Sequence, residues 1–296
     1  MSLISPTDTP PDQILRTALW MSGAVASFSL MAVAGRAVSS ELDTFEIMMY
    51  RSIIGFCIIV LFGAMTGALR GVTLQAPSQH LMRNLCHFGG QNLWFYAITV
   101  IPLAQVFALE FTTPLWVLVL SPLFLGERLG PIRVLAAIIG FTGILIVARP
   151  SPETLNAGTL AAAGAAIGFA GTYIFTKRLT RTQSLTNILF WMTLSQTVFG
   201  LICAGFDGDI ALPTAAFLPW LVVIALCGLM AHLCITSALS LSPATLVSPM
   251  DFTRLPVIAI VGLLVYDEPL DLFVILGALI IFGANYLNIW SETRKR

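Results

Sequence analysis

The chain repeats one stretch, AITVIPLAQVFALEFTTPLWVLVLSPLFLGE at Ala97–Glu127, and this repetition decides the fold. The related stretch ALSLSPATLVSPMDFTRLPVIAIVGLLVYDE occupies Ala238–Glu268 and aligns with it without a gap, at an offset of 141 residues. The matching pairs are Ala97 with Ala238, Pro102 with Pro243, Val106 with Val247, Glu110 with Asp251, Phe111 with Phe252, Thr112 with Thr253 and Glu127 with Glu268. An internal repeat of this kind predicts two similar halves, with the working centre where they meet.

The composition indicates a membrane protein. Hydrophobic residues make up 57% of the chain and charged residues 10%, whereas a soluble domain usually carries about 25% charged residues. The 15 basic and 15 acidic residues cancel, and the chain has no basic stripe of the kind that nucleic-acid-binding proteins use. The five cysteines lie in apolar runs without a C-x-x-C motif, which indicates small buried side chains.

Ten apolar runs are long enough to cross a bilayer, which takes about 20 residues per helix. They lie at 17–38, 46–68, 81–100, 103–124, 131–148, 157–177, 185–205, 216–240, 243–265 and 271–290. Helices are expected because each one satisfies its own backbone hydrogen bonds in lipid. The sequence therefore predicts an all-α integral membrane protein with ten transmembrane helices, five in residues 1–148 and five in residues 149–296.

The basic residues predict how the chain is oriented. Eleven of the 15 Lys and Arg residues fall on the side of the N-terminus and two on the opposite side. The positive-inside rule then places both termini in the cytoplasm. A copied unit of five spans, an odd number, must enter the membrane the opposite way round, so we expect an inverted-topology repeat of the kind found in secondary transporters. The first run is kept as a span because no basic signal-peptide region precedes it.

The arrangement of these residues resembles a known family. The pattern comprises Ala97, Pro102, Pro114, Gly126-Glu127 and Gly140-x-x-Gly143, then Ala238, Pro243, Pro256, Glu268, Gly277 and Gly283. With ten spans in two sets of five, it is similar to the EamA-type branch of the drug/metabolite transporter superfamily, and most similar to its bacterial exporters of amino acids and related metabolites. The resemblance implies alternating access through a central cavity lined by spans 1, 3, 4, 6, 8 and 9. It also implies a bacterial-type inner (plasma) membrane.

Charged side chains inside the spans are candidates for this cavity, because a charge near the bilayer centre costs about 2.5–3.5 kcal/mol on insertion scales. Glu110 lies about two turns inside the fourth span, and Asp251 and Arg254 lie three residues apart on the ninth, hence on one face. They could bind a zwitterion or act in gating. Alternatively they neutralise one another, as a local Asp251–Arg254 pair and a cross-helix pair of Glu110 with Arg51.

A polar stripe runs along the third span. It comprises Asn84, His87, Gln91 and Trp94. Tyr96 lies on a neighbouring face, and the repeat aligns Gln91 with His232. The stripe could line the cavity or form interhelical hydrogen bonds. Trp94 and Tyr173 are candidate aromatic walls, with simple packing as the alternative. His87 and His232 could titrate near neutral pH, which makes a proton a candidate coupling ion.

Prolines interrupt the fourth and ninth spans at related places. We interpret Pro114, Pro249 and Pro256 as candidate gating or kink residues, since proline removes a backbone donor and bends a helix; static bends are the alternative.

Two further patterns are interpreted as structural. The G-x-x-x-G of Gly164 and Gly168 predicts close helix packing. Glu127 and Glu268 are interpreted as caps at the N-termini of the fifth and tenth spans.

The sequence favours a secondary transporter that exports small metabolites, with neutral or aromatic amino acids as the expected substrates. Export of drugs, nucleosides or nucleotide sugars is an alternative, as is a passive channel or scramblase. No ATP-binding G-x-x-x-x-G-K-[ST] motif occurs. The three histidines form no H-x-x-x-H pair, so we predict no enzyme activity, catalytic residue, metal or cofactor.

Overall fold

A computed structural model describes most of the chain. The described residues are 11–125, 131–149, 156–206, 208–242, 254–269 and 271–293, with Ala244, Val247, Met250 and Asp251. Across these residues the regular secondary structure is entirely helical. The predicted all-α fold class is therefore confirmed.

Eleven α-helices fall within the described ranges. They are α1 (Pro11–Val38), α2 (Thr44–Thr66), α3 (Pro77–Val100), α4 (Leu103–Glu110), α5 (Thr113–Leu125), α6 (Pro131–Ala148), α7 (Ala157–Leu179), α8 (Leu185–Ala204), α9 (Leu218–Leu241), α10 (Arg254–Tyr266) and α11 (Leu272–Thr293). Helices α4 and α5 together form the fourth span and α10 lies in the ninth, so the helices correspond to the ten predicted spans. Helices α1 and α3 begin several residues before the apolar runs that identified them.

Side chains at the loop ends fix where several helices begin. Asp43 and Glu46 form a capping box at the start of α2: the Asp43 carboxylate accepts from the Glu46 N–H at 2.8 Å, and Glu46 accepts from the Asp43 N–H at 2.9 Å. Asn156 caps α7 by accepting from the Thr159 N–H at 2.9 Å. Such caps satisfy backbone donors that a helix leaves unpaired in its first turn.

The outer surface of the bundle is apolar, as a lipid-facing surface must be. Among the described residues, six helical segments are long and apolar enough to cross a membrane, the longest being Gln13–Val38. On α2, the side chains of Leu61, Phe62 and Met65 are 64–79% exposed. The polar stripe of α3 points inward instead. The protein is therefore a multi-pass membrane protein that keeps its polar side chains inside the bundle.

The tightest helix pairs join the first half of the chain to the second. Helix α1 packs on α9, α2 on α8, α3 on α7 and α6 on α11. Each span has a counterpart five spans away in the other half. Exchanging every helix for its counterpart turns the α1–α9 pair into the α7–α3 pair. It leaves α2 paired with α8 and α6 with α11. The two halves therefore interlock around a common centre.

Glycines bring α3 and α7 into backbone contact. A Cβ atom added to Gly168 would lie 2.8 Å from the Cys86 carbonyl oxygen and 2.8 Å from the Gly90 Cα. A Cβ atom at Gly164 would lie 3.1 Å from Leu93. The close packing predicted for the G-x-x-x-G motif is therefore confirmed, and only glycine fits at Gly168 without displacing backbone.

We expect Gly168→Ala to lower the free energy of unfolding by about 1–3 kcal/mol, because the added methyl group overpacks a backbone contact. Thermal unfolding of the purified protein in detergent would measure the loss. Gly89→Ala is the matched control, since a Cβ atom there meets nothing within 4 Å. Equal stability of the two variants would contradict the close α3–α7 contact.

Candidate functional site

A central cavity lies between the two halves of the chain. Its lining residues are Phe28, Met31, Arg83, His87, Gln91, Trp94, Glu110, Phe111, Thr113, Pro114, Phe169, Thr172, Tyr173, Thr176, His232, Ile235, Asp251 and Arg254. They come from spans 1, 3, 4, 6, 8 and 9. The space open to water within the cavity is about 40 Å³, enough for a few water molecules. The cavity is therefore narrow in this conformation.

A buried ion cluster joins the two halves at one end of this cavity. The Arg254 guanidinium donates through Nη2 to Glu110 Oε1 at 2.6 Å and also pairs with Asp251 Oδ2. Trp94 Nε1 donates to the other Glu110 oxygen at 2.8 Å. All three charged residues are buried. Two carboxylates thus share one guanidinium, and the cluster has a net negative formal charge.

Aromatic rings enclose the Arg254 guanidinium. Its central carbon lies 4.8 Å from the centre of the Phe28 ring and 4.7 Å from that of the Phe107 ring. A cation over a ring face is stabilised by the ring quadrupole, more strongly where water is excluded. The rings therefore help to hold the charge in the membrane interior and fix the orientation in which it meets both carboxylates.

The sequence around Pro114 places Glu110 at a helix end. Proline has no N–H, so the Glu110 carbonyl four residues earlier loses its helical partner. The Thr113 hydroxyl replaces it, donating to that carbonyl at 2.6 Å. Helix α4 ends at Glu110 and α5 begins at Thr113, which confirms that the fourth span is interrupted near Pro114.

Two histidines meet in the middle of the bundle. The rings of His87 on α3 and His232 on α9 lie 4.4 Å apart, nearly perpendicular. Both nitrogens of His87 and Nε2 of His232 are buried without a hydrogen-bond partner in the part of the chain that the structure describes. Gln91, one turn from His87, also lines the cavity. These groups can offer donors and acceptors to a bound solute.

Arg83 also lines the cavity, although it is not among the candidates predicted from the sequence. Its Nε donates to the Thr176 hydroxyl at 3.2 Å and its Nη1 to Asn84 Oδ1 at 3.0 Å. The side chain is 1% exposed. The signal was available in the sequence, because Arg83 precedes His87 by four residues and so extends the polar stripe by one helical turn.

Most candidate residues come together at the cavity. Its lining includes His87, Gln91, Trp94, Glu110, Tyr173, His232, Asp251, Arg254 and Pro114. Tyr96 is different: its side chain is 40% exposed and does not line the cavity, so its assignment to the cavity is corrected. Pro256 lies within α10. Pro249 and Glu127 lie outside the described residues.

One of the two predicted ion pairs is present. Asp251 and Arg254 pair locally, as expected. The expected Glu110–Arg51 pair is wrong, because Glu110 binds Arg254 instead. Arg51 donates to the sulfur of Met48 at 3.4 Å. Glu110 finds its partner in the other half of the chain, which no local spacing could indicate.

Glu268 links the two halves instead of capping the tenth span. Its carboxylate accepts from the Leu103 N–H at 2.8 Å, at the start of α4, and pairs with Arg36. Arg36 also donates to the carbonyls of Ile98 at 2.6 Å and Ile101 at 3.0 Å. We call this group the first latch; it holds the ends of α1 and α3 to the loop before α11.

A similar group lies at the end of α7. Lys177 Nζ donates to the carbonyls of Leu239 at 2.8 Å and Ser242 at 3.0 Å. The three residues, which we call the second latch, stand 141 residues after Arg36, Ile98 and Ile101. The offset found in the sequence therefore also relates two sets of contacts.

Replacing Arg254 by glutamine should destabilise the protein by about 3–5 kcal/mol, because both carboxylates lose their buried counter-charge. Thermal unfolding in detergent would measure this loss. The exposed Arg181→Gln is the control. Adding Glu110→Gln and Asp251→Asn removes the stranded charges and should recover part of the stability. If Arg254→Gln alone were as stable as the native protein, this would show that Arg254 does not neutralise the two carboxylates.

Comparison with known proteins agrees with the repeat and the fold. The sequence matches the profile of the EamA-like transporter family twice, over residues 15–149 and 156–290. It is 27% identical to an S-adenosylmethionine uptake transporter of Rickettsia bellii, over 93% of this chain and 94% of the relative.

Two further relatives are a riboflavin transporter and an exporter. The chain is 28% identical to a riboflavin transporter of Rhizobium johnstonii, over 96% of this chain and 94% of the relative. It is 26% identical to a pseudopaline exporter of Pseudomonas aeruginosa, over 87% of this chain and 90% of the relative. The two profile matches together cover most of the sequence, and the chain therefore belongs to the EamA-like transporter family.

Proposed function

We propose that the chain is a secondary transporter, which exports small metabolites through the central cavity by alternating access. The observation that carries this proposal is the buried cluster of Glu110, Asp251 and Arg254, which lines a cavity between the two halves. Charged side chains inside a membrane are costly and usually mark a solute path. A protein that needed only a stable bundle would fill this centre with apolar side chains.

Neutral or aromatic amino acids are the substrates that this cavity supports best. The cavity offers both signs of charge, which suits a zwitterion, and the rings of Trp94 and Tyr173, which suit an apolar or aromatic side chain. Relatives of the chain are named for S-adenosylmethionine uptake, riboflavin transport and pseudopaline export. Their names indicate small organic solutes and both directions of movement.

The two latches support an inverted repeat, with repeats at residues 1–148 and 149–296. Helix α1 ends after one membrane crossing and α7 after six, so their C-terminal ends emerge on opposite faces of the membrane. The first latch closes one end of the bundle and the second latch the other. Related contacts at opposite faces are what a two-fold axis in the membrane plane produces. The α1–α9 and α3–α7 pairs, which correspond to each other in the two repeats, support the same axis.

Alternating access follows from opening one latch at a time. Both latches are formed together, so this conformation is an occluded one. With both termini in the cytoplasm, the second latch closes the cytoplasmic end and the first latch the outer end. Release of either would open the cavity to one side only.

Counterflow in proteoliposomes would test the transport proposal. We expect saturable exchange of a neutral or aromatic amino acid from a panel that also holds nucleosides and cationic drugs. Gln91→Trp should abolish exchange by filling the cavity while folded protein remains. Tyr96→Trp is the matched control, because Tyr96 faces outward and its replacement should leave exchange unchanged.

Other outcomes of this experiment would redirect the proposal. Flux that rises linearly with concentration would indicate a passive channel, and exchange confined to nucleosides or drugs would reject amino acids. A pH-sensitive dye in the same vesicles distinguishes the driving forces: a signal that follows flux indicates proton coupling, and a flat one a substrate gradient alone.

Arg36→Gln should open the outer face, since it removes the ion pair with Glu268 and both carbonyl contacts. In a background without native cysteines, a cysteine at Thr172 in the cavity reports opening by its reaction with an impermeant maleimide. Labelling from outside should rise about fivefold or more, because about 1 kcal/mol shifts a two-state ratio by that factor. Lys177→Gln should raise labelling from the cytoplasmic side instead.

The control for the latch experiment is Arg149→Gln. Arg149 forms a more exposed ion pair with Asp271, and exposed pairs contribute little. Increased labelling from the same side in Arg36→Gln and Lys177→Gln would refute the inverted arrangement of the latches.

A further inference from the structure

Arg83 is a buried cation at the cavity wall, and among the residues that the structure describes it has no carboxylate partner. Its two hydrogen bonds go to neutral side chains, Thr176 and Asn84. The ion pairs described for this chain use other arginines, Arg36, Arg149 and Arg254. Its Nη2 makes no hydrogen bond to any residue that the structure describes. A guanidinium group with a free donor therefore faces the cavity.

A second buried cation, Arg51, packs against Gly228 on α9, one turn before the cavity residue His232. Arg51 is 5% exposed, and within the described ranges it too has no carboxylate partner. Buried charges in membrane proteins normally pair with one another. Two unpaired cations therefore leave this end of the cavity suited to an anion.

The opposite end of the cavity has the opposite sign. Glu110 and Asp251 share the single positive charge of Arg254, and Asp251 Oδ1 is buried without a hydrogen-bond partner among the described residues. Trp94, which binds Glu110, lies about 16 Å from Arg83 along α3 at the helical rise of about 1.5 Å per residue. The cavity is therefore polarised along its length.

We propose that Arg83 binds the carboxylate of the transported metabolite. This inference rests on the proposed transport function and names the chemistry of its substrate. A guanidinium group suits the role because its planar N–H donors match a carboxylate. The free Nη2 donor and the neutral partners of Arg83 leave it available to a solute. Thr176 and Asn84 hold the group in place without neutralising it.

The test compares L-phenylalanine with L-phenylalaninamide, which differ in the carboxylate, and with 3-phenylpropionate, which lacks the ammonium group. Binding is measured as thermal stabilisation of the full-length protein in detergent, and transport as counterflow. The native protein should bind phenylalanine at least about tenfold more tightly than the amide, since hydrogen bonds between charged groups have this effect or more. 3-Phenylpropionate, which keeps the carboxylate, should also bind more tightly than the amide.

Arg83→Gln should weaken phenylalanine binding about tenfold to hundredfold and leave amide binding unchanged. Arg83→Lys, which keeps the charge, should retain part of the preference for the acid. Arg70→Gln is the matched control because Arg70 is exposed, and it should behave as the native protein does. The acid–amide comparison in the native protein stands even if Arg83→Gln fails to fold.

Three results would overturn the assignment of Arg83. They are equal affinity of the native protein for acid and amide, absence of binding to all three probes, and an equal loss of both ligands in Arg83→Gln, which would indicate a purely structural role. Saturable exchange of nucleosides without binding of these probes would reject the carboxylate subsite and leave transport intact. Absence of exchange for every solute, with acid-selective binding retained, would reject transport and leave the subsite intact.

Discussion

The structure depends on one constraint, that a charge within the bilayer must find its counter-charge inside the protein. Arg254 meets this constraint with Glu110 from the first half of the chain and Asp251 from the second. The cluster requires both halves, so the ninth span must lie against the fourth. The ring faces of Phe28 and Phe107 complete the enclosure.

The sequence could predict features that depend on local spacing. The lengths of the apolar runs gave the ten spans, the three-residue step gave the Asp251–Arg254 pair, and Pro114 indicated the break between α4 and α5. The stripe on α3 was identifiable because a helix places residues three and four positions apart on one face. In each case the relevant physics acts over one or two helical turns.

Other features of the site could be predicted only with knowledge of which helices are neighbours. Glu110 pairs with a residue 144 positions away, and Glu268 reaches Leu103 and Arg36 across the bundle. Tyr96 was misplaced because a helix face that neighbours a polar stripe can still point to lipid. Arg83 lies near a span end, where a basic residue usually reaches the membrane surface. In the structure it is instead buried and donates to Thr176 on α7.

The glycine contact between α3 and α7 has a mechanical consequence. Where Gly168 touches the backbone of Cys86 and Gly90, no flexible side chains separate the helices to absorb sliding. The two helices must therefore move as one rigid unit, although α3 belongs to the first repeat and α7 to the second. The boundary between the moving parts therefore cannot coincide with the boundary between the two repeats, because the part that contains α3 also contains α7.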